Sequence, residues 1–255
     1  MGNYLIYGDV NSADYGVVIS GGGTFNKPAR RIQKYSVPGR NGDLTITEDA
    51  FDNVEITYPA FIVRGFEHKF NEFTEAMSAQ DGYQKLTDTY DPSHYRMGIF
   101  KGEMEPETGT LNRTGKFTLV FDCQPQRWFK DSQDFQTVWT TGQTNATMFN
   151  PTKYNAKPII RVYGYGTFVF DGSDITISSY SGDGYVDIDC DLGYCRVYPT
   201  GLSFNDHVAI EPSEYNGRTY RFPIIHPGLN SINTDLHPTD FHITRIDIKE
   251  RYWTI

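Results

Sequence analysis

Apolar and polar residues alternate along several short stretches of the chain, which is the pattern of strands with one buried face. The clearest case lies at 116–123, where Phe117, Leu119 and Phe121 share one side and polar residues occupy the other. Shorter stretches with related alternation predict strands at 3–8, 44–48, 54–58, 83–88 and 94–103. The stretches at 44–48 and 54–58 flank Asp52-Asn53, so they are predicted to pair as a hairpin.

The segment from Phe66 to Met77 has a helical period instead. Phe66, Phe70, Phe73 and Met77 recur three or four residues apart with charged residues between them, and Gly82 follows. This spacing predicts one amphipathic helix that ends before the glycine. The apolar stripe is predicted to be core rather than a cofactor site, because it contains no ligand-type residue.

The alternation fades between Pro125 and Pro158, where Thr, Gln and Asn surround Trp128 and Trp139. Such a stretch is typical of a connector that contains some strand. We therefore predict two domains, residues 1–132 and residues 133–255.

Beyond the connector, short apolar stretches are separated by glycine turns. They predict strands at 159–163, 167–170, 174–178, 185–190, 196–198, 207–210, 220–225 and 244–249. So many short strands fit a two-sheet β-sandwich. The fold class predicted for the whole chain is mainly β with one helix, with a β-sandwich-like N-terminal domain followed by a second β-sandwich.

Composition supports this fold class and narrows the function. The 255 residues are 38% apolar, which suffices for one large core or two ordinary ones, and the 15% of aromatic residues suits strands. The net charge of −9 argues against a surface that binds nucleic-acid phosphates, because such surfaces are usually basic. No stretch has the apolar length of a membrane span or the pattern of a signal peptide, so we expect a protein that folds in a cytoplasm.

The residue types that usually carry chemistry form no recognisable motif. Ser20–Thr24 contains three glycines, but Lys27 is followed by proline, not by the Ser or Thr of a phosphate-binding loop, so a flexible connection is predicted. Three cysteines, Cys123, Cys190 and Cys195, suggest no disulfide framework and are predicted to be reduced thiols. The histidines and cysteines do not fall at zinc-type spacings.

A row of aspartates offers one alternative. Asp187, Asp189 and Asp191 alternate with apolar residues, so their carboxylates line one face of a predicted strand. We interpret this face as solvated, and calcium binding is the alternative, because oxygen ligands suit that ion. The acidic residues also allow a glycosidase pair in principle, although nothing selects one. We therefore predict no catalytic residue, no metal and no cofactor.

The stretch Val37–Leu44 contains two closely spaced turn signals, Pro38-Gly39 and Asn41-Gly42, with Arg40 between them. Each glycine can adopt the positive φ angle that a tight reversal needs. On local residues alone this is an ordinary loop. A turn and hairpin with exposed edges at 37–58 would also pair easily with another chain. The candidate oligomer-interface residues are Val37, Gly39, Arg40, Gly42 and Leu44.

The last residues include two large side chains, Tyr252 and Trp253. Chain ends fray unless something ties them down. We therefore predict that both side chains are buried and form a C-terminal anchor.

Seven short motifs follow one another along nearly the whole chain. They are the turn at Val37–Leu44, then Tyr95–Gly102, Gly115–Pro125, Asn150-Pro151, Lys157–Ile160, Pro227–Asn230 and the ending Trp253–Ile255. None is specific alone. In their order and spacing they resemble the distal tail proteins of long-tailed bacteriophages that infect Gram-positive bacteria.

The resemblance implies a structural protein and not an enzyme. The first domain is expected to close a hexameric ring coaxial with the tail tube, as one ring or as two back to back, through which DNA passes without specific binding. A galectin-like second domain is expected to project outward, and in some relatives the chain end returns to the first domain. The implied partners are copies of the chain itself, a tail tube protein, a tail-associated hub protein and a receptor-binding protein, with no membrane contact. The implied location is the distal end of the virion tail, after assembly in the host cytoplasm.

Two other classes of function stay open at this point, a carbohydrate-binding or receptor-binding module and a cell-wall hydrolase. A galectin site combines a stacking tryptophan with a cluster of His, Asn and Arg, and Phe204–His207 does not reproduce that set. Tyr180, Tyr194 and Tyr215 remain as stacking candidates. We predict that residues 133–255 show no measurable affinity for galactosides or host wall polysaccharide, which calorimetry can test.

Overall fold

The computed structural model describes residues 2–109, 113–179, 184–234 and 242–255. Over these residues the chain is mainly β-strand, with a single α-helix, α1 (Phe66–Ser78). The described part contains no helix that is long and apolar enough to cross a membrane. The chain divides into two compact units, one of residues 1–127 with Ile255 and one of residues 128–254.

The division falls before the predicted boundary at residue 132. The intervening residues belong to the second unit because they hydrogen-bond to Tyr252, which is part of that unit. Phe129 donates its backbone N–H to the Tyr252 carbonyl at 3.0 Å, and Tyr252 donates its own N–H to Ser132 Oγ at 2.8 Å.

One large sheet forms the first unit. Its strands, with those of a separate hairpin and one at the boundary, are β1 (Leu5–Tyr7), β2 (Val10–Asn11), β3 (Val17–Ile19), β4 (Arg30–Tyr35), β5 (Leu44–Phe51), β6 (Val54–Ile62), β7 (Gln84–Asp88), β8 (His94–Phe100), β9 (Glu107–Thr108), β10 (Gly115–Cys123) and β11 (Arg127–Phe129). The main path of the sheet runs β2-β1-β7-β8-β10-β6-β3, and β9 pairs with β10.

Helix α1 packs on this sheet through the predicted apolar stripe. Phe66, Phe73 and Met77 are buried, and the Phe73 ring lies 6.2 Å from that of Phe117 on β10. The stripe is therefore core, as predicted. Gly115 permits the close approach, because a Cβ added there would lie 2.3 Å from the Phe66 ring.

The predicted hairpin between 44–48 and 54–58 is wrong. Strand β5 pairs with β4, whereas β6 pairs with β10 along its whole length and with β3. Asp52-Asn53 ends β5 without turning the chain back on it, and the reversal lies between β4 and β5. Alternation located the strands but could not identify their partners.

The three glycines at 21–23 serve close packing rather than flexibility. A Cβ added at Gly23 would lie 2.5 Å from the backbone nitrogen of Thr57, and one at Gly22 would lie 3.3 Å from the Pro59 ring. Thr24 is buried and donates its hydroxyl to Asp88 at 2.9 Å. This connection therefore lies against β6 and is fixed there.

The second unit is a two-sheet sandwich with an additional small hairpin. Its strands are β12 (Gln136–Thr140), β13 (Asn145–Asn150), β14 (Ile159–Tyr163), β15 (Gly166–Phe170), β16 (Ser173–Ile177), β17 (Tyr185–Asp189), β18 (Tyr194–Tyr198), β19 (Leu202–Ser203), β20 (Val208–Ile210), β21 (Ser213–Tyr215), β22 (Arg218–Tyr220), β23 (Gly228–Asn233), β24 (Arg245–Lys249) and β25 (Trp253–Thr254). One sheet runs β12-β24-β14-β17-β18-β19 and the other β13-β23-β15-β16-β20. Buried residues of both sheets share one hydrophobic core.

One prediction for this unit needs correction. The strand predicted at 220–225 is not formed: β22 ends at Tyr220, and Pro223 has no N–H to donate to a ladder. The connector contains strand, as predicted, in the form of β12 and β13, and Trp139 on β12 lies fully within the sandwich core.

Candidate assembly interface

The β4–β5 hairpin stands apart from the sheet of the first unit. Its two strands pair only with each other among the described residues, from Tyr35 opposite Leu44 to Arg30 opposite Phe51. Every residue of β4 is exposed. An isolated two-stranded hairpin is marginally stable in water, so this element needs a further surface to stabilise it.

The turn at the tip has the geometry that its sequence predicts. Arg40 donates its N–H to the Val37 carbonyl at 3.1 Å, with Pro38 and Gly39 between them. The φ angle of Gly39 is +78°, as a type II turn requires at the residue after proline. Gly42 has a φ of +81°, and no described residue lies within 4 Å of a Cβ added to either glycine. Both are therefore required by backbone conformation and not by packing.

Apolar side chains are grouped on one face of the hairpin near its tip. Because opposite residues of an antiparallel pair share a face, Tyr35, Leu44 and Ile46 lie together. Their exposed fractions are 48%, 42% and 49%, and Val37 in the turn is 39% exposed. A contiguous apolar group on an otherwise solvated element is typical of a protein contact surface.

The charges of the hairpin fall into two groups. Arg31 is held within the hairpin region, 3.0 Å from Asp52 and 3.8 Å from Glu48. In the described part of the chain, Lys34 and Arg40 have no ion-pair partner. Lys34 lies opposite Thr45, on the face away from the apolar group, and Asp43 adds a negative charge beside Leu44. The tip therefore combines apolar contact area with one available cation, Arg40, which is suited to meeting a carboxylate of another surface.

The predicted C-terminal anchor lies in the second unit. Tyr252 is 5% exposed and belongs to the sandwich core. Trp253 is half-buried, stacks on Tyr154 with ring centroids 4.3 Å apart, and donates its indole N–H to the Asn155 carbonyl at 3.0 Å. These contacts tie down the end of the chain.

The interpretation of the aspartate row as a solvated face is wrong for two of its three members. Asp187 accepts two hydrogen bonds from the Arg161 guanidinium at 2.8 and 2.9 Å. Asp189 is buried and accepts from Arg251 at 3.1 and 3.2 Å.

The third member, Asp191, is exposed and pairs with Lys157 at 2.9 Å. Each carboxylate in the row is thus already opposed by a cation of the chain. The described residues contain no group of three or more ligand-type side chains that could hold a metal ion.

The thiols are unsuited to nucleophilic chemistry. All three cysteines are buried and unpaired. Burial raises the pKa of Cys123 to about 12 and that of Cys195 to about 11, and it also raises the pKa of Cys190. Since the thiolate is the reactive form, these groups remain inert near neutral pH.

The tyrosines considered as sugar platforms have ring contacts within the chain. Tyr215 stacks on His226 with centroids 4.6 Å apart, and the guanidinium of Arg196 lies 4.5 Å from the Tyr194 centroid. Tyr180 lies outside the described residues.

Comparison with known proteins finds similarity in structure only. No protein-family model and no curated protein matches the sequence. The chain is similar to Dit (gp 19.1) of phage SPP1, which is described as a paradigm of the hub adsorption apparatus in phages that infect Gram-positive bacteria. The TM-score is 0.68 at 14% identity, and the match covers 100% of both chains.

Two structures of the phage P2 baseplate in its activated conformation, with Ca and with Sr, are also similar. They give TM-scores of 0.48 and 0.47 at 8% identity, with 97% and 96% of each chain covered. The SPP1 match establishes that the chain has the fold of a phage hub protein over its full length, which confirms the predicted resemblance at the level of fold.

Proposed function

We propose that this chain is a structural protein of a phage tail tip, a distal tail protein that forms a hub between the tail tube and the host-adhesion device. The observation that carries the proposal is the fold shared with SPP1 Dit along the full length of both chains. The proposal gives the chain a structural role and assigns it no catalytic residue.

The hub is proposed to be a hexameric ring, as one ring or two back to back, built by the first domain. Ring closure requires a heterologous interface, in which one surface of a subunit meets a different surface of its neighbour. The β4–β5 hairpin would supply the first surface, with Tyr35, Leu44 and Ile46 in contact and Arg40 at the tip.

A surface with complementary properties lies on the same unit. Phe61 near the end of β6 and Val63 just after it are 36% and 58% exposed. Glu105 and Glu107 are exposed beside them and have no ion-pair partner among the residues described. Lys116 reduces the negative charge there but does not cancel it. The hairpin of one copy is proposed to bind this surface of the next.

The second domain is proposed to be a galectin-like sandwich that faces outward and holds the host-recognition apparatus. The proposed partners are further copies of the chain, the tail tube protein, a tail-associated hub protein and a receptor-binding protein. The proposed location is the distal end of the virion tail after assembly in the host cytoplasm. DNA would pass through the ring without binding, as expected from the net charge of −9.

The test combines light scattering with negative-stain imaging of the purified chain, alone and with the tail tube protein of the same phage. We expect ring-shaped particles. The double substitution Leu44→Asp with Ile46→Asp should abolish them and leave the circular dichroism spectrum unchanged, because the replaced side chains are exposed. Leu202→Asp, at a residue 66% exposed in the second unit, is the matched control and should retain the rings. A chain that forms no ring under either condition contradicts the proposal.

A further inference from the structure

The outer face of the five-stranded sheet is almost free of charge. Ten outward positions carry uncharged side chains: Asn145, Thr147, Phe149, Thr167, Val169, Thr176, Ala209, Leu229, Ser231 and Asn233. Asp174 is the one charged residue among the described outward positions of these strands. The outer face of the six-stranded sheet differs, since it carries Arg161, Asp187, Arg196, Arg245 and Lys249. Depletion of charge is typical of the centre of a protein interface.

The edge of this sheet at β13 lacks the usual protection against pairing. Among the described strands, β13 pairs only with β23, in an unbroken register over six residues. It contains no charge, no proline and no bulge, which are the features that normally block edge-to-edge association. The other sandwich edges are short, as in β19 and β20, or interrupted by a register shift, as in β12.

Two large apolar side chains flank this edge. Phe149 on β13 lies opposite Leu229 on β23, and the two are 63% and 64% exposed. They would bury apolar area if a further strand lay beside β13. Thr147 and Ser231 form the next pair along the ladder and offer no charge to a neighbour.

We propose that β13 is a self-association surface, at which two copies of the chain join edge to edge across a two-fold axis. A second copy fits for an electrostatic reason: molecules with a net charge of −9 repel each other, and contact is least unfavourable where the facing surfaces are uncharged. A two-fold contact must also be complementary to itself. An uncharged antiparallel strand meets that condition, because its free backbone groups pair with those of an identical strand and no like charges are opposed.

The contact is small. One added strand with its flanking side chains buries less area than a standard interface, so the dimer should be weak and dependent on concentration. Because the surface lies on the second unit, it is separate from the hairpin, and its test does not depend on whether the chain forms rings.

The experiment uses the full chain with Leu44→Asp and Ile46→Asp, in which hairpin contacts are removed. Sedimentation equilibrium of this variant should show a mass that rises with concentration from 29.1 kDa toward twice that value. Adding Thr147→Lys should hold the mass at that of the monomer, because each copy would then bring a positive charge to the middle of the paired edge. Thr176→Lys adds the same charge to an exposed position of the same face, away from the edge, and should leave dimerisation unchanged.

A mixing experiment separates loss of contact from loss of folding. Thr147→Lys and Thr147→Glu versions of the same background should each be monomeric, whereas an equimolar mixture should recover the dimer through opposite charges. Three results would overturn the proposal: a background variant that stays monomeric at every concentration, a dimer that persists in Thr147→Lys, or a mixture that does not associate.

Discussion

At the scale of single residues, the clearest electrostatic unit is a buried cluster around Asp91. Its carboxylate is 2.8 Å from His94 Nδ1 and pairs with Arg127, and all three side chains are largely buried. Burial alone would raise the pKa of Asp91, but the hydrogen bonds and charges of His94 and Arg127 lower it below the ordinary 3.8. The ionised carboxylate therefore stabilises the folded state.

The sign of this shift fixes a pH dependence. The pKa of Asp91 is lower in the folded state than in the unfolded state. The stabilisation by its ionised carboxylate is therefore complete above 3.8 and is lost as the pH falls through the folded pKa. Asp91→Asn should reduce the free energy of unfolding at pH 7 by about 2 to 4 kcal/mol and flatten its decline in acid. Urea unfolding from pH 7 to pH 2.5 measures both effects. Glu72→Gln, which removes an exposed partner of His68, is the control and should change neither the free energy of unfolding at pH 7 nor its decline in acid. If stability of Asp91→Asn declines in acid as steeply as that of the unmodified protein, Asp91 is not the stabilising carboxylate.

Burial of the chain end gives a second prediction at this scale. Replacing Tyr252, which is 5% exposed, with alanine should lower the free energy of unfolding by about 3 to 5 kcal/mol, because a large cavity opens in the sandwich core. The matched substitution Tyr35→Ala removes the same side chain from an exposed hairpin position and should cost less than about 1 kcal/mol. Equal losses in urea titrations would show that Tyr252 does not anchor the chain.

At the scale of elements, the hairpin tip should act through charge as well as apolar contact. Arg40→Glu reverses a cation that has no ion pair among the described residues, so it should weaken the ring assembly proposed above without unfolding the chain. Arg221→Glu makes the same change of charge in the second unit and should leave assembly intact. Mass photometry over a dilution series compares the two variants. If Arg40→Glu disassembles at the same concentration as the unmodified protein, Arg40 makes no important contact.

Sequence periodicity predicted some elements well and could not predict others. Helix α1 and strand β10 were predictable because each buries one continuous stripe of apolar side chains. Strand β13 was hidden because its inward positions include Asn150, a buried amide that donates to the carbonyls of Tyr154 and Ile225. The turn of the candidate interface was visible in its glycines. The pairing of β4 with β5 could not be predicted, because alternation shows which side chains share a face of a strand but not which strand lies beside it.

At the scale of the whole molecule, the two units differ from the predicted domains in where the second begins. A fragment of residues 128–255 should melt about 5 to 10 °C above a fragment of residues 133–255, because the shorter one loses the hydrogen bonds that Phe129 and Ser132 make with Tyr252 and Arg251. A fragment of residues 126–255 should have the same melting temperature as the fragment of residues 128–255. Differential scanning calorimetry gives the three temperatures, and equal values for the two shorter fragments would place the start of the folded unit after Ser132.

The three buried thiols also determine how the molecule responds to oxidants. Thiol–disulfide exchange and oxidation to sulfenic acid both begin from an accessible thiolate, and here burial removes both access and ionisation. Because no disulfide is present, reductants have no bond to break among these cysteines. A protein made in a reducing cell could therefore pass into an aerated medium with its covalent structure unchanged, and copies held close together would not become cross-linked through sulfur.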